Sequence, residues 1–221
     1  EVHRIMSVVE FRDVVVTYDG YPALAGATAT VKSGQIVLVR GENGAGKSTL
    51  LRTIAGLIPI ERGVAKVLGV DVTTDRQSVR ARIGMLAHRN GLFLDLTARD
   101  NVEFWARCVG ATSSDVDDAL DRMRLGRDLS SSLVSRLSAG QRRRVALASL
   151  VVRRAELWLL DEPHSGLDEQ SRADLDAVLS DASRAGATII VASHDTDRVA
   201  KLDRKSTRLN SSHITISYAV F

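Results

Sequence analysis

Apolar and polar positions along the chain fall into two rhythms. Gln35 to Arg40 (QIVLVR), Glu156 to Asp161 (ELWLLD) and Ala187 to Ser193 (ATIIVAS) are continuous apolar runs of strand length, the pattern of parallel strands covered on both faces. Val8 to Tyr18 and Ala29 to Lys32 read as short β segments, and VAKVL (64–68) and RIGMLA (82–87) as further strands. Helical spacing predicts a helix from Lys47 to about Gly56, a helix-rich stretch from Thr97 to Arg153 and a charged helix from Glu169 to Arg184. Strands alternating with helices predict an α/β domain with a parallel, doubly wound sheet, and the helix-rich middle predicts an inserted helical lobe over about 97–153. No internal repeat interrupts the plan.

Composition narrows the class. At 221 residues, 44% hydrophobic and 26% charged, the chain has the apolar content for one large core. Cys108 is the single cysteine, which excludes an intrachain disulfide or CxxC site and fits a reducing, cytosolic setting. No run of about eighteen apolar residues is present and no signal peptide is read, so any membrane role is expected to come through a partner. The formal charge is +3, and Asp203 to Phe221 carries three of the bases and one acid, leaving +1 without it. That balance gives no basic footprint for nucleic acid.

The chemistry begins after the QIVLVR strand. Gly41, Gly46, Lys47 and Ser48 stand in the spacing G-x-x-x-x-G-K-[ST], between a strand and a helix. Glycines let the backbone turn its N–H groups toward phosphate oxygens, and the helix N-terminus adds a field favourable to anions. Lys47 reaches the β- and γ-phosphates and Ser48 offers a hydroxyl to Mg²⁺; the bland alternative is a glycine-rich turn with a chance lysine. Asp161 and Glu162 end the LWLLD strand ahead of Pro163. Beside a phosphate loop, Asp161 would hold the magnesium shell and Glu162 would polarise a water, although a strand-terminal acidic pair also caps turns. His194 follows the next buried strand, at the end where open α/β sheets bind ligands. As a lone histidine it has a structural alternative.

Ser138 to Gln141 form an S-x-x-Q capping box that opens the amphipathic helix QRRRVALASLVV. On capping alone, Arg142, Arg143, Arg144, Arg153 and Arg154 would be a solvated face. Capping does not require the glycine at Gly140, which lets another backbone or a phosphate approach closely. A complete phosphate loop with a spare anion site suggests that the spare serves a second subunit.

GENGAGKST, LSAGQ, LWLLDEP, the SGLD of Ser165 to Asp168 and the histidine of VASHD, in this order, resemble the nucleotide-binding subunit of ABC transporters from about Val8 to Leu202. The resemblance implies a P-loop NTPase (RecA-like) core, an N-terminal antiparallel β lobe and an inserted helical lobe, together one ATPase domain over 7–202. It also implies a head-to-tail dimer that closes on two ATP with Mg²⁺ and drives an integral membrane subunit from the cytoplasmic face of the bacterial membrane. Carried over residue by residue, it gives Asn43, Gly44 and Thr49 to the nucleotide with the rest of the loop, and Tyr18 to adenine stacking, where a plain strand-end aromatic is the alternative. Ser138, Gly140, Gln141 and Asp168 would reach the nucleotide across the dimer, and Glu162, His194 and Lys47 would be catalytic. His88 occupies the relay position nine residues before Thr97, usually a glutamine; a neutral imidazole keeps one donor and one acceptor but not the amide's pair.

AHRNGLFLDLTARDNVEFWA, LSAGQRRRVALASL and AELWLLDEP narrow the resemblance to the ATP-binding subunit of the cytochrome c maturation, or haem exporter, system. There a histidine is common at the relay position, and Trp105 and Trp158 match, although each also suits core packing. Two other functions stay open: an ABC ATPase with another cargo, and a soluble ABC ATPase acting on nucleic acid or ribosomes.

The last residues follow a different logic. Ile214, Ile216, Tyr218 and Val220 alternate with Thr215, Ser217 and Ala219 as in a half-buried strand. Yet DRKSTRLNSSH and ISYAVF, flanking Ile214 and Thr215, read as the frame translation of a sequencing adapter with a two-residue index. Residues 203–221 are therefore expected to be a non-native tail, with the native C-terminus missing and Met6 a possible true start. Genomic DNA encoding this tail at this locus would overturn that expectation.

Overall fold

The computed structural model describes residues 7–18, 20–41, 44–87 and 89–193, plus the backbone of 213–215; at Tyr18 it describes the backbone alone. Two sheets organise these residues. The first is antiparallel, in the order β2-β1-β4-β5, built from β1 (Ser7–Tyr18), β2 (Tyr21–Lys32), β4 (Arg62–Val67) and β5 (Val70–Asp71). The second is parallel, in the order β6-β7-β8-β3-β9, built from β3 (Ile36–Arg40), β6 (Ile83–Leu86), β7 (Leu157–Asp161), β8 (Thr188–Ala192) and β9 (His213–Thr215).

The continuous apolar runs behave as two-faced strands. Ile36, Leu38, Trp158, Leu160, Ile189 and Val191 point into one core, while Val37, Val39, Leu157, Leu159, Ile190 and Ala192 point into the other. A period of two along each strand sends neighbouring side chains to opposite faces, so both faces must be covered. The second face meets α1 (Lys47–Ile54) and the antiparallel sheet, through Leu50, Leu51, Phe11 and Val14. The first face meets α7 (Glu169–Arg184) and a helical group of α3 (Ala98–Val109), α4 (Ser113–Arg122) and α6 (Ala139–Val152). The described residues also hold two single-turn helices, α2 (Gln77–Arg80) and α5 (Arg127–Ser130). Each large apolar side chain taken fully out of water contributes roughly 1.5–3 kcal/mol, which favours this double-sided arrangement over any single-faced one.

Differences from the sequence reading have physical causes. β2 starts at Tyr21, eight residues before the expected Ala29, because pairing with β1 from Tyr18↔Tyr21 onward recruits a segment with Pro22 and small alanines that alone carries little strand signal. Helix α6 is not amphipathic: Val145 to Leu150 are all buried, since the helix runs between the sheet and α3 and α4. Nor do the five arginines form one solvated face, because Arg143 is only 5% exposed. Trp158 is core packing, with its indole Nε1 donating to Ala155 O at 3.0 Å.

The segment read as a non-native tail supplies β9, parallel to β3 in the register Leu38↔His213 and Arg40↔Thr215. An open sheet edge presents unpaired N–H and C=O groups to any extended chain. The pairing therefore carries no information about where that segment came from.

Candidate nucleotide site

The parallel strands deliver their carboxyl ends to one side of the sheet, and the phosphate loop and the acidic pair meet there. Gly46 is the N-cap of α1 with φ +73, a left-handed conformation open to glycine at little cost. No side chain caps this helix and its first turn holds no acid, so its leading N–H groups face outward with the positive end of the helix dipole. Lys47 is buried, and its Nζ donates to Gly41 O at 2.8 Å. At Gly41 a Cβ would lie 2.9 Å from the Ala45 Cβ, so the closing of the loop admits no side chain there.

Across this cradle, Ser48 Oγ donates to Asp161 Oδ2 at 2.6 Å. A hydroxyl and a carboxylate side by side are hard oxygen donors of the kind that suit a small divalent cation. Among the described residues no cluster of three His, Cys, Asp or Glu side chains is gathered for a metal, so further ligands would come from phosphate oxygens and water. A cleft of about 310 Å³ lies over the loop, lined by Gly44 to Thr49 with Asp161 and Glu162. The phosphate-loop and strand-end motifs, 113 residues apart at Ser48 and Asp161, thus share one cleft.

Glu162 sits just past β7 with φ +47. Its N–H donates to Ala192 O at 2.9 Å, and Ser193 Oγ donates to its Oε2 at 3.2 Å. The carboxylate is thereby tied to the end of β8. Ser193 lay within a strand run in the sequence, and only the parallel pairing of β7 with β8 brings it here.

Ser138 and Gln141 close their capping box as the spacing predicts, Gln141 N–H donating to Ser138 Oγ at 3.2 Å and Ser138 N–H to Gln141 Oε1 at 2.8 Å. A Cβ on Gly140 would stand 2.8 Å from Gly166 O, so the glycine admits a backbone of its own chain. Asp168 caps α7, its Oδ1 accepting from Ser171 N–H at 2.7 Å, and that hydrogen bond holds its carboxyl below the usual range. Asn43, His88 and His194 lie outside the described residues, as does the Tyr18 side chain; Tyr18 ends β1.

Sequence reasoning missed Arg143. Its guanidinium reaches the carbonyls of Asp161 and Glu162, each at 2.8 Å. Burial pulls its pKa down to about 10 against the opposing pull of the Asp161 and Glu162 charges, and it remains a cation at neutral pH. The signal was present, since Arg143 shares a helix face with Ala146, Leu147 and Leu150 at the i+3, i+4 and i+7 spacing.

Comparison with known proteins agrees with this geometry. Residues 24–165 match the family described as ABC transporter. The chain is 38% identical over 189 residues to the cytochrome c biogenesis ATP-binding export protein CcmA of Paracoccus denitrificans, covering 86% of this chain and 83% of that protein. The CcmA of Cupriavidus pinatubonensis is 35% identical over 189 residues, covering 85% and 83%. Among solved structures, the dimeric post-hydrolysis ATP-binding cassette MJ0796 bound to ADP and Pi superposes with a TM-score of 0.81 at 26% identity, over 88% of this chain and 91% of that one. The cbiO1 protein of Clostridium perfringens, part of the ABC transporter complex cbiONQ, gives 0.75 at 28%, over 89% and 82%. Similar over most of its length to such proteins, and folding its loop and acidic pair into one cleft, the chain belongs to the ABC transporter family and is an ATPase of that family.

Proposed function

We propose that this protein is the ATP-hydrolysing subunit of an ABC transporter serving cytochrome c biogenesis or haem export. The observation that carries the hydrolytic part is the convergence of Lys47, Ser48, Asp161 and Glu162 on one cleft. The cargo rests on the CcmA relatives at 35–38% identity. In this reading the N–H groups of the loop and of α1, with Lys47, hold the β- and γ-phosphates of ATP. Ser48 and Asp161 hold Mg²⁺, which when bound neutralises charge developing on the phosphates. Glu162 accepts the proton of the attacking water, and His194 donates a hydrogen bond to the γ-phosphate.

A second copy completes the site. Helix α6 opens on a neutral capping box and holds no acid in its first turn, whereas α3 and α4 carry Asp100 and Asp115 there. Its N-terminus thus suits a phosphate brought by the partner, with Ser138, Gly140 and Gln141 contacting it head to tail. Tyr18 stacks on adenine, and Asn43, Gly44 and Thr49 line the phosphates; Asp168 and His88 complete the interface.

No described helix is long and apolar enough to cross a membrane. In this reading, which rests on the relatives named as ATP-binding export proteins, an integral membrane subunit supplies the pathway and this chain lies peripherally at the cytoplasmic face. Phe93, Leu94, Leu96 and Phe104 are 39–50% exposed, and Phe93 packs edge-on against Phe104 at 5.1 Å between ring centroids. This apolar patch follows the His88 position in the chain and is the proposed seat of the membrane subunit.

The decisive experiment is Glu162→Gln. The variant is expected to bind MgATP and accumulate as a closed dimer on size exclusion, with hydrolysis reduced at least about a hundredfold. Hydrolysis at the wild-type rate would remove Glu162 from the base role. Co-purification with an integral membrane protein of the cytochrome c assembly system tests the cargo.

A further inference from the structure

Glu162 poses a structural problem that its own neighbours in sequence do not solve. A non-glycine residue held at positive φ costs of order 1–3 kcal/mol and persists only where its surroundings over-determine it. One restraint is the N–H bond to Ala192 O. Two more act on the carbonyl side, where Glu162 O accepts from Ser165 N–H at 3.1 Å and from Arg143 Nη2 at 2.8 Å.

Arg143 projects from α6 two residues after the capping glutamine, and its five N–H groups are all engaged. Nη2 donates to Asp161 O and Glu162 O, both at 2.8 Å, and Nε to Pro163 O at 3.4 Å. Nη1 donates to Ala87 O at 2.9 Å and Asn90 Oδ1 at 3.0 Å. Three acceptors are thus successive carbonyls of the acidic turn, and the other two belong to Ala87 and Asn90. Four of the five are main-chain oxygens, so the guanidinium reads backbone shape and pairs with no carboxylate through a direct hydrogen bond.

We propose that Arg143 is a positioning residue for hydrolysis: it holds the left-handed turn that aims the Glu162 carboxylate, and it ties that turn to Ala87 and Asn90, so a shift of these two residues is transmitted to Glu162. The proposal rests on the reading of Glu162 as the base. A planar fork is needed, because its donors diverge toward two loops, whereas a lysine presents three donors from a single nitrogen. No hydrogen bond joins Arg143 to Lys47 or to the other described residues of the phosphate loop, so its loss is expected to act on turnover more than on nucleotide affinity.

The test compares Arg143→Lys, Asn90→Ala, the double variant and Glu162→Gln in the full chain, measuring kcat and KM for MgATP, binding of a fluorescent ATP analogue, and thermal unfolding. Arg143→Lys is expected to lower kcat about 10- to 100-fold with analogue affinity within about twofold. Asn90→Ala is expected to lower kcat about 3- to 10-fold, and the double variant to be no slower than Arg143→Lys alone, because both act through one guanidinium. Should Arg143→Lys fail to fold, Asn90→Ala carries the test: kcat within twofold of wild type would overturn the proposal. So would a folded Arg143→Lys with unchanged kcat, multiplying losses in the double variant, or a loss confined to analogue affinity. If Glu162→Gln abolishes turnover while a folded Arg143→Lys keeps the wild-type kcat, the positioning role alone fails; if Glu162→Gln turns over normally, the base assignment fails first.

Discussion

Gln141 shows how one neutral atom group separates a cap from a site. Among the described residues three helices open on capping boxes, and α6 alone closes its box with an amide. A carboxylate there would cap as well but would stand beside any phosphate brought to Ser138. Gln141→Glu is therefore expected to leave unfolding free energy within about 0.5 kcal/mol and to lower MgATP turnover at least about tenfold through like-charge repulsion. A wild-type rate would remove the α6 N-terminus from the nucleotide site. At this scale the sequence was legible where a residue type has few uses, as with Gly46, Lys47 and the capping pair. For Arg143 the spacing to Ala146, Leu147 and Leu150 was a partial signal, but an arginine on a helix is ordinarily solvated, and only the packing of α6 between the sheet and the neighbouring helices makes it a backbone clamp.

Elements followed their local signals where those signals were chemical. α7 runs from Glu169 to Arg184, as its charge pattern indicated, and is capped by Asp168. α3 begins after Thr97, whose Oγ1 accepts from Asp100 N–H at 3.1 Å. Thr97→Ala is expected to destabilise the chain by about 1 kcal/mol, read as a lowered urea midpoint with unchanged slope; an unmoved midpoint would show that the cap is replaced by water at no cost. The start of β2 was illegible for the opposite reason. Its first residues have no period and weak strand propensity, and they are extended because β1 already is.

At the scale of the molecule, acid should loosen the fold from several points together. Asp100 is held below the ordinary carboxyl range by hydrogen bonds from Thr97, Asp115 by those from Thr112, and Asp168 by those from Ser171. Glu156 is lowered by Arg82, which donates to it twice, at 2.6 and 2.8 Å. Each folded value lies below the unfolded one, about 3.9 for Asp and 4.3 for Glu. The stability they add is complete above those unfolded values and is lost as pH falls through the folded ones. The melting temperature should therefore be insensitive to these groups near neutrality and decline below about pH 4, a decline weakened in Asp100→Asn; a flat profile to pH 3 would contradict it. By itself the sequence determined the fold class, the phosphate loop, the acidic pair and the caps, because each is written in short spacings whose backbone geometry or charge is nearly obligatory. Only the tertiary structure decided that the hydroxyl of Ser193 meets Glu162, that Gly140 admits Gly166, and that Arg143 joins two loops. Those contacts depend on which strands and helices become neighbours, and that is settled by burying both faces of one sheet at once.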